Sequence, residues 1–499
     1  MGEDRGEGAR ESWMEFSHGV AKHMSFFEHP ANSHMEFTPG KKLWLLGLLS
    51  AAIYGVNFHI GDFLVQLGII DAKLNPIQSY LLQVLPLGLL YLWAVRITRR
   101  PERATGNPLV PILLFAFLFR LPLIPLEGEA LSTDIYRYVW EGKIQVAAGM
   151  NPYNHPPSDE RFVPLRDDAI YPKINRKEAP TIYPAGAQVL FAVASWFGAE
   201  TPQEFKVLAL AADALTLFLL LLILRELQLP LSQVIIYAWN PLLIYELFYA
   251  GHLESFVLPP LLGFLYFFLR GQAMAGSAAL GLATAIKLVP AFLLATIPRE
   301  RRLKAALPFM LVIALSYVFY LDAGRDILGF LPSYFSDPRE IFNPGLLQLG
   351  LMKGAAILTL PALWIRFVLF FLLLGTLLVV AYRPHESPAD LVQKSYAVLS
   401  AYLLFIYPAF HPWYVIPLIS FLCIVRSRAW FCFSLLLPLS YLEYPTPTWV
   451  TLAQYVPLYT LLAFESVEIK KWWKPACVRF GQLGPRSTSA GMQRYVPRR

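Results

Sequence analysis

The chain reads STDIYRYVWEG at residues 132–142, directly after a hydrophobic run and inside the longest polar interval of its first half. This stretch combines two acidic residues and an arginine with three aromatic residues. At helical spacing, Asp134, Arg137, Tyr138 and Glu141 share one face, at i, i+3, i+4 and i+7. The pattern predicts a short helix with a charged and aromatic side at a membrane surface. The alternative is an interfacial helix whose Tyr and Trp only anchor at headgroup level.

The composition places the chain among membrane proteins. Of its 499 residues, 56% are hydrophobic and 15% are charged, and the mean hydropathy is +0.47. Apolar runs recur from Leu43 to Phe464, and each crossing needs about 20 residues. Because an open sheet cannot satisfy its backbone in lipid, the prediction is an all-α polytopic membrane protein. We expect a bundle of roughly 12–14 membrane helices.

Charge along the chain predicts its organisation and orientation. The prediction is a cytoplasmic N-terminal segment at 1–42, a transmembrane domain at 43–465 and a basic cytoplasmic tail at 466–499. The net charge of +7 lies largely in that tail, which is typical of contact with anionic lipid and does not require nucleic acid as a partner. An outer loop at 127–183 is expected to be ordered and to carry the reactive motif.

Between that loop and residue 298 the sequence leaves two topologies open. Five apolar segments, at 184–197, 205–224, 233–249, 255–269 and 274–297, could all cross the membrane. In the alternative, which the positive-inside rule favours weakly, the first lies outside and the last is broken at Pro290 and turns back.

Polar residues near the outer ends of the helices are expected to line one cavity, since their burial in lipid is costly. They comprise Asp134, Arg137, Glu141, His252, Glu254, Lys287 and His411, together with Asp213 inside an otherwise apolar helix. The sequence contains no zinc motif, no phosphate-binding glycine loop and no Ser-His-Asp arrangement. No cofactor is predicted, although His252 and Glu254 leave a divalent metal open.

The stretch at 132–142 with Asn151-Pro152-Tyr153 resembles the signature of bacterial GT-C glycosyltransferases. More narrowly, it resembles the polyprenol-phosphate-mannose-dependent mannosyltransferases of the actinobacterial lipoglycan type. Further matching segments follow in family order: Tyr183–Gln188, Trp239–Leu242 with Gly251–Glu254, Lys287–Pro290 and His411–Tyr414. The chain departs from the family pattern in having Thr133-Asp134 where two acids are usual, and Glu254 where an Asp is usual.

The resemblance implies an inverting transferase in the bacterial inner membrane, with its active site on the non-cytoplasmic face. Its donor would be a hexose, mannose foremost, on polyprenyl phosphate, and its acceptor a cell-envelope glycan or lipid. Asp134 is the expected general base, and Arg137, Lys287 and His411 are expected to hold the donor phosphate. The residues expected to line the site are Tyr138, Glu141, Asn151, Tyr153, Tyr183, His252, Glu254, Trp413 and Tyr414.

A competing hypothesis is a transporter or lipid flippase without catalysis. In that case the intramembrane residues Arg120, Asp213 and Lys287 would form a translocation path. A structural ion pair is the plainer interpretation of Arg120, and an i, i+4 pair with Glu141 is the plainer interpretation of Arg137.

Overall fold

The protein is an all-α polytopic membrane protein. The computed structural model describes residues 39–481 except 57–58, 70, 72, 100–106, 336–339, 362 and 445, and this part of the chain contains helices and no strand. Its α-helices are α1 Pro39–Val56, α2 Ile60–Gln66, α3 Pro76–Thr98, α4 Leu109–Arg120, α5 Asp134–Ala148, α6 Ala185–Trp196, α7 Pro202–Glu226, α8 Ile235–Ala238, α9 Pro241–Phe248, α10 Glu254–Leu269, α11 Ala273–Ile286, α12 Arg302–Tyr317, α13 Leu331–Tyr334, α14 Leu346–Ile357, α15 Leu363–Tyr382, α16 Ala389–Phe405, α17 Ile416–Leu422, α18 Arg428–Leu436 and α19 Thr448–Gly481.

The helices fall into long spans and shorter apolar pieces. Within the described residues, four helical stretches are long and apolar enough to cross a membrane, or up to five if the bent pair Gly40–Val56 and Ile60–Gln66 is one span. The four are Pro76–Thr98, Pro202–Glu226, Arg299–Asp326 and Leu363–Tyr382. Further apolar helices of 10–17 residues, such as Glu254–Leu269 and Ala273–Ile286, lie between them.

Two apolar segments are broken in the structure. The sequence suggests the run at 233–249 as continuous, whereas a break at Pro290 in the run at 274–297 is one of the two topologies that it leaves open. The run at 233–249 divides because Asn240 caps a new helix, its side chain accepting a hydrogen bond from the Leu243 N–H, and Pro241 occupies the first turn. The run at 274–297 ends as an α-helix at Ile286, and residues Val289–Thr296 continue as a 3₁₀-helix with Pro290 near its start. A proline lacks the N–H that a continuous helix needs, and the break leaves Lys287 in extended backbone.

Local capping signals define the long helices. Asn75 and Gln78 form a capping box at the start of α3, and Thr201 and Glu204 form another at the start of α7. Helix α5 ends at Gly149, whose φ of 64° is the left-handed conformation that glycine adopts at low cost.

The packing core joins α10 and α11 to each other, α10 to α7, and α11 to α12. Against this core, α5 packs on α6, and the loop before α10 presses on α5. Gly251 has a φ of 79°, and a Cβ built there would lie 2.3 Å from Cδ1 of Ile135. The glycine therefore lets the 251–254 loop approach α5 closely, which brings two stretches of the sequence motif together.

Apart from the gaps given above, the described residues cover the predicted transmembrane domain and only parts of the two predicted terminal segments. Residues 1–38 and 482–499, which include most of the predicted N-terminal segment and part of the predicted tail, lie outside the described residues. Helix α19 runs on to Gly481, so the backbone stays helical beyond the predicted start of the tail at 466.

Candidate active site

A cavity of about 1080 Å³ gathers residues from distant parts of the chain. Its wall includes the start of α5, the 175–184 segment, the start of α10, the break after α11, and parts of α15 and α16. Of the residues singled out from the sequence, those that line it are Asp134, Arg137, Tyr138, Tyr183, Glu254, Lys287, His411, Trp413 and Tyr414. Of the polar groups predicted to share one cavity, Glu141, His252 and Asp213 do not line it.

Asp134 is the first residue of α5 and is partly exposed to the cavity. One of its carboxylate oxygens accepts a hydrogen bond of 2.8 Å from the Asn175 side-chain amide. Burial raises the pKa of Asp134, while the Asn175 hydrogen bond and the Lys287 charge act in the opposite direction. A carboxylate with a raised pKa and a neutral partner is suited to accept a proton.

Arg137 is buried and has several protein partners. Its Nε donates to Glu141 at 2.5 Å, and its terminal nitrogens donate to the carbonyl oxygens of Asn175, Arg176 and Ala179 at 3.3, 3.0 and 2.7 Å. The guanidinium therefore fixes the 175–179 segment, whose Asn175 side chain holds Asp134. The i, i+4 pair with Glu141 expected from the sequence is present.

Glu254 and Lys287 form an ion pair across the cavity wall. Glu254 begins α10 and is 1% exposed, whereas the Lys287 side chain is 26% exposed and its Nζ lies 4.8 Å from the centre of the Tyr414 ring. Because Lys287 follows the end of α11, its positive charge also lies at the negative end of a helix dipole. Lys287 is thus a cation held at the cavity and still accessible from it.

His411 belongs to a column of stacked rings. It stacks on Phe342 at 4.9 Å and on Trp413 at 4.3 Å, and the other partner of Trp413 is His252 at 3.8 Å. Burial, with a smaller effect of Lys287, lowers the pKa of His411 to about 3. The imidazole is therefore neutral near pH 7, and it offers the cavity a hydrogen-bonding group rather than a charge.

Four residues expected at the site lie outside the cavity wall. Glu141 is buried and accepts hydrogen bonds from Arg137, Thr181 and Gln188. The side-chain amide of Asn151 donates to Asp322 at 2.7 Å, and the Tyr153 hydroxyl donates to the Tyr183 carbonyl at 2.8 Å.

The fourth, His252, is 1% exposed, with its Nε2 3.2 Å from an oxygen of Glu246. Glu141, Tyr153 and His252 contact the wall residues Arg137, Tyr183 and Trp413, respectively, whereas Asn151 bonds to Asp322 outside it. The sequence motif therefore includes residues that do not face the cavity.

The cavity also contains residues that sequence reasoning did not select. Asn175 lies in the long loop without a motif around it, and its contact with Asp134 depends on tertiary folding. Arg366 is different, because an arginine inside the apolar run of α15 is the same signal that singled out Arg120 and Lys287. Tyr334, Tyr402 and Arg176 also line the cavity.

No metal site is evident in the described part of the chain. Among residues 39–481 outside the gaps given above, no group of three or more His, Cys, Asp or Glu side chains is placed to hold a metal ion. The pair His252 and Glu254 suggested by the sequence therefore has no third ligand of these types there, and Glu254 is engaged with Lys287.

Arg120 and Asp213 form a closed pair away from the cavity. The Arg120 Nε donates to Asp213 at 2.7 Å, the Tyr237 hydroxyl donates to the second oxygen at 2.6 Å, and both members of the pair are 1% exposed. Lys287 lines the cavity, whereas Arg120 and Asp213 do not. The three charges thus do not form the path that the transporter hypothesis requires.

Comparison with known proteins gives one match. The family model described as alpha-(1->6)-mannopyranosyltransferase, N-terminal domain (MptA_B family), matches residues 45–298. This range contains Asp134, Asn175, Glu254 and Lys287. No curated protein and no solved structure matches the chain.

Proposed function

Because the chain belongs to this alpha-(1->6)-mannopyranosyltransferase family, we propose that it transfers a hexose, mannose foremost, from polyprenyl phosphate to a cell-envelope glycan or lipid. The observation that carries the proposal is the single cavity in which Asp134, Lys287 and an apolar wall from α15 meet. In this proposal the carboxylate accepts a proton from the acceptor, the cation binds the donor phosphate, and the apolar wall contacts the lipid chain.

The proposed reaction is a single in-line displacement with inversion. Asp134 accepts the proton of the acceptor hydroxyl as its oxygen bonds to the anomeric carbon. The bond from that carbon to the phosphate oxygen breaks, and polyprenyl phosphate leaves with the electron pair. Positive charge near the departing phosphate stabilises the transition state.

The donor phosphate is assigned first to Lys287, since its side chain is partly exposed to the cavity. His411, neutral near pH 7, is proposed to contribute a hydrogen bond to the same group. Arg137 also lines the cavity, but its contacts with Glu141 and three carbonyl groups support a positioning role for it. Phosphate binding by Arg137 stays a prediction, tested in the Discussion.

The proposed site faces the non-cytoplasmic side of a bacterial inner membrane. The basis is the excess of arginine and lysine at 96–103, 299–304 and 470–499, which supports an inside location for those segments. A cysteine introduced as Thr133→Cys should react with a membrane-impermeant thiol reagent on intact spheroplasts, whereas a cysteine placed at 490 should react only after lysis. The reverse labelling pattern would invert the proposed topology.

The activity is tested with the purified full-length protein in lipid nanodiscs. Polyprenyl-phosphate-mannose and an envelope glycan extract should yield polyprenyl phosphate and a glycan enlarged by one hexose, detected by mass spectrometry. Nucleotide-linked mannose should not replace the lipid donor. If the lipid-linked sugar is moved between leaflets and none is consumed, the protein is a transporter and the proposal is wrong.

A further inference from the structure

Arg366 is the one charged residue of α15, whose sequence is LWIRFVLFFLLLGTLLVVAY at 363–382. It lines the cavity at the fourth position of that helix. Its Nε is buried without a hydrogen-bond partner, and in the part of the chain that the structure describes no carboxylate forms an ion pair with it. A cation inside an apolar helix is costly unless an anion compensates it, so the partner expected for Arg366 is a ligand.

The surroundings of Arg366 indicate the kind of ligand. On the cavity side, its neighbours on α15 are Phe367, Phe370 and Leu373, and the end of α16 adds Phe405 and Ile406. These five side chains offer no hydrogen bond to a sugar, and the polar exception beside them is Tyr407, which interacts electrostatically with Arg366. They suit an apolar chain whose only charged group lies beside the guanidinium.

A second depression continues this apolar wall to the outer surface of α15. It has a volume of about 740 Å³ and shares Leu363 and Phe367 with the main cavity. The full lining is Pro361, Leu363, Trp364, Phe367, Val368, Phe371 and Leu372. Trp364 and Phe371 are 53% and 60% exposed, respectively, as expected of side chains that face lipid. We call the surface formed by these seven lining side chains together with Phe370 and Leu373 the α15 groove.

We propose that the α15 groove is the lateral entry for the donor, holding its polyprenyl chain, and that Arg366 positions its phosphate. The proposal rests on the proposed function and assigns the lipid part of the same substrate. The planar fork of an arginine can bind two phosphate oxygens at once. A phosphate held by Arg366 and Lys287 would lie in the same cavity as Asp134.

The alternative is an arginine that only extends its stem toward the membrane interface, since Arg366 lies in the first turn of its helix. The two interpretations differ in the kinetics. An interfacial arginine would affect stability or insertion, and its replacement would leave the apparent KM for donor unchanged. A phosphate-binding arginine would change that KM at every length of the lipid chain.

The kinetic test compares Arg366→Gln, Arg366→Lys and the control Arg325→Gln, in which an exposed arginine outside the cavity is replaced. Donors with a long polyprenyl chain and with a ten-carbon isoprenoid chain are used with each. We expect Arg366→Gln to raise the apparent KM at least tenfold for both donors, Arg366→Lys to recover part of the loss, and Arg325→Gln to match the parent. Unchanged donor KM in a folded Arg366→Gln protein would overturn the role of Arg366.

The groove is tested separately by photo-crosslinking with a benzophenone-bearing isoprenyl phosphate, which requires no turnover. The label should appear in the peptide containing residues 361–373 of the parent protein and decrease in Arg366→Gln. Polyprenyl phosphate should compete for it, and phosphatidic acid should not. Labelling elsewhere, or equal competition by phosphatidic acid, would overturn the assignment.

These two readouts also separate this inference from the proposed function. If the parent protein shows no mannosyl transfer but is labelled in the groove with the expected competition, the proposed chemistry is wrong and the lipid site stands. If transfer occurs but labelling and donor KM do not follow the expectation, the chemistry stands and the lipid site is wrong.

Discussion

Two carboxylates of the cavity wall occupy similar positions and have different partners. Asp134 is the first residue of α5 and Glu254 is the first residue of α10, so each lies at the positive end of a helix. Asp134 accepts a hydrogen bond from the neutral amide of Asn175. Glu254 is almost fully buried and pairs with the cation Lys287.

Because of this difference, Asp134 is available to react, whereas Glu254 holds Lys287 in place. The ion pair with Lys287 occupies an oxygen of the Glu254 carboxylate. The Asp134 carboxylate has the neutral Asn175 amide as its hydrogen-bond partner, burial raises its pKa, and it lines the cavity. The sequence resemblance assigned the base to Asp134, and the unequal partners give a physical reason for that assignment.

The largest effect is expected for Asp134→Asn, which keeps the shape of the side chain and removes the proton acceptor. Because general-base catalysis contributes roughly 10²- to 10⁴-fold, kcat should fall by at least that range in steady-state assays. Asp167→Asn is the matched control. Asp167 also lies within the 127–183 region, but it pairs with Lys143 and is outside the cavity wall. A folded Asp134→Asn protein with normal turnover would remove Asp134 from the mechanism.

The next effect concerns the Glu254–Lys287 pair. Lys287→Gln leaves Glu254 buried without its cation, so both thermal stability and donor use should fall. In the double variant Glu254→Gln/Lys287→Gln the uncompensated charge is gone, and the Tm should recover. Donor kcat/KM should stay at least tenfold below the parent, about 1.4 kcal/mol. Recovery of both quantities would show that Lys287 only neutralises Glu254.

Arg137→Lys is expected to have a smaller effect of about tenfold on kcat, since it loosens the 175–179 segment that orients Asp134. If Arg137 acts only through that segment, KM values for donor and acceptor should change little, and the Tm should fall. If it binds the donor phosphate, as the sequence suggested, the apparent donor KM should rise and the acceptor KM should not. Measuring both KM values with the Tm distinguishes these roles.

The smallest effect concerns the pH profile. Because the Asn175 hydrogen bond lowers the pKa of Asp134 against the effect of burial, Asn175→Ala should raise that pKa. The base is active when ionised, so the acid limb of kcat/KM should move to higher pH, with little change on the alkaline side. The profile of Asn154→Ala, in an exposed loop position away from the cavity, should match that of the parent. If the acid limb does not move in Asn175→Ala, that limb does not report the ionisation of Asp134.

Much of the fold class and part of the site were predictable from local signals. Hydropathy predicted a polytopic α-helical protein because each span must satisfy its backbone within lipid. The i, i+3, i+4 pattern predicted helix α5 and the pair of Arg137 with Glu141. The family resemblance was confirmed over residues 45–298.

The exact helix breaks and the direction in which motif side chains face could not be predicted from the sequence, for physical reasons. In the run at 233–249 the polar residue Asn240 does not by itself divide the apolar segment by hydropathy, so the break there was not predicted. In the run at 274–297, Pro290 left a break open, and the structure has the α-helix ending at Ile286. Asn151 and Tyr153 belong to the motif but do not line the cavity. Asn151 donates a hydrogen bond to Asp322, and Tyr153 donates one to the Tyr183 carbonyl. Motif membership does not state which way a side chain faces.

The sequence by itself determined that the chain is a helical membrane protein with an acidic and aromatic motif of mannosyltransferase type, because hydropathy and residue spacing act within one segment. The tertiary structure alone decided which charges neutralise one another and which face the cavity. Asn175, Glu254, Lys287 and Arg366 lie far apart in sequence, and only packing of the helix ends brings them to one wall. Burial and the choice of partner depend on that packing. Only the folded protein therefore gives Asp134, the Glu254–Lys287 pair and Arg366 their different environments.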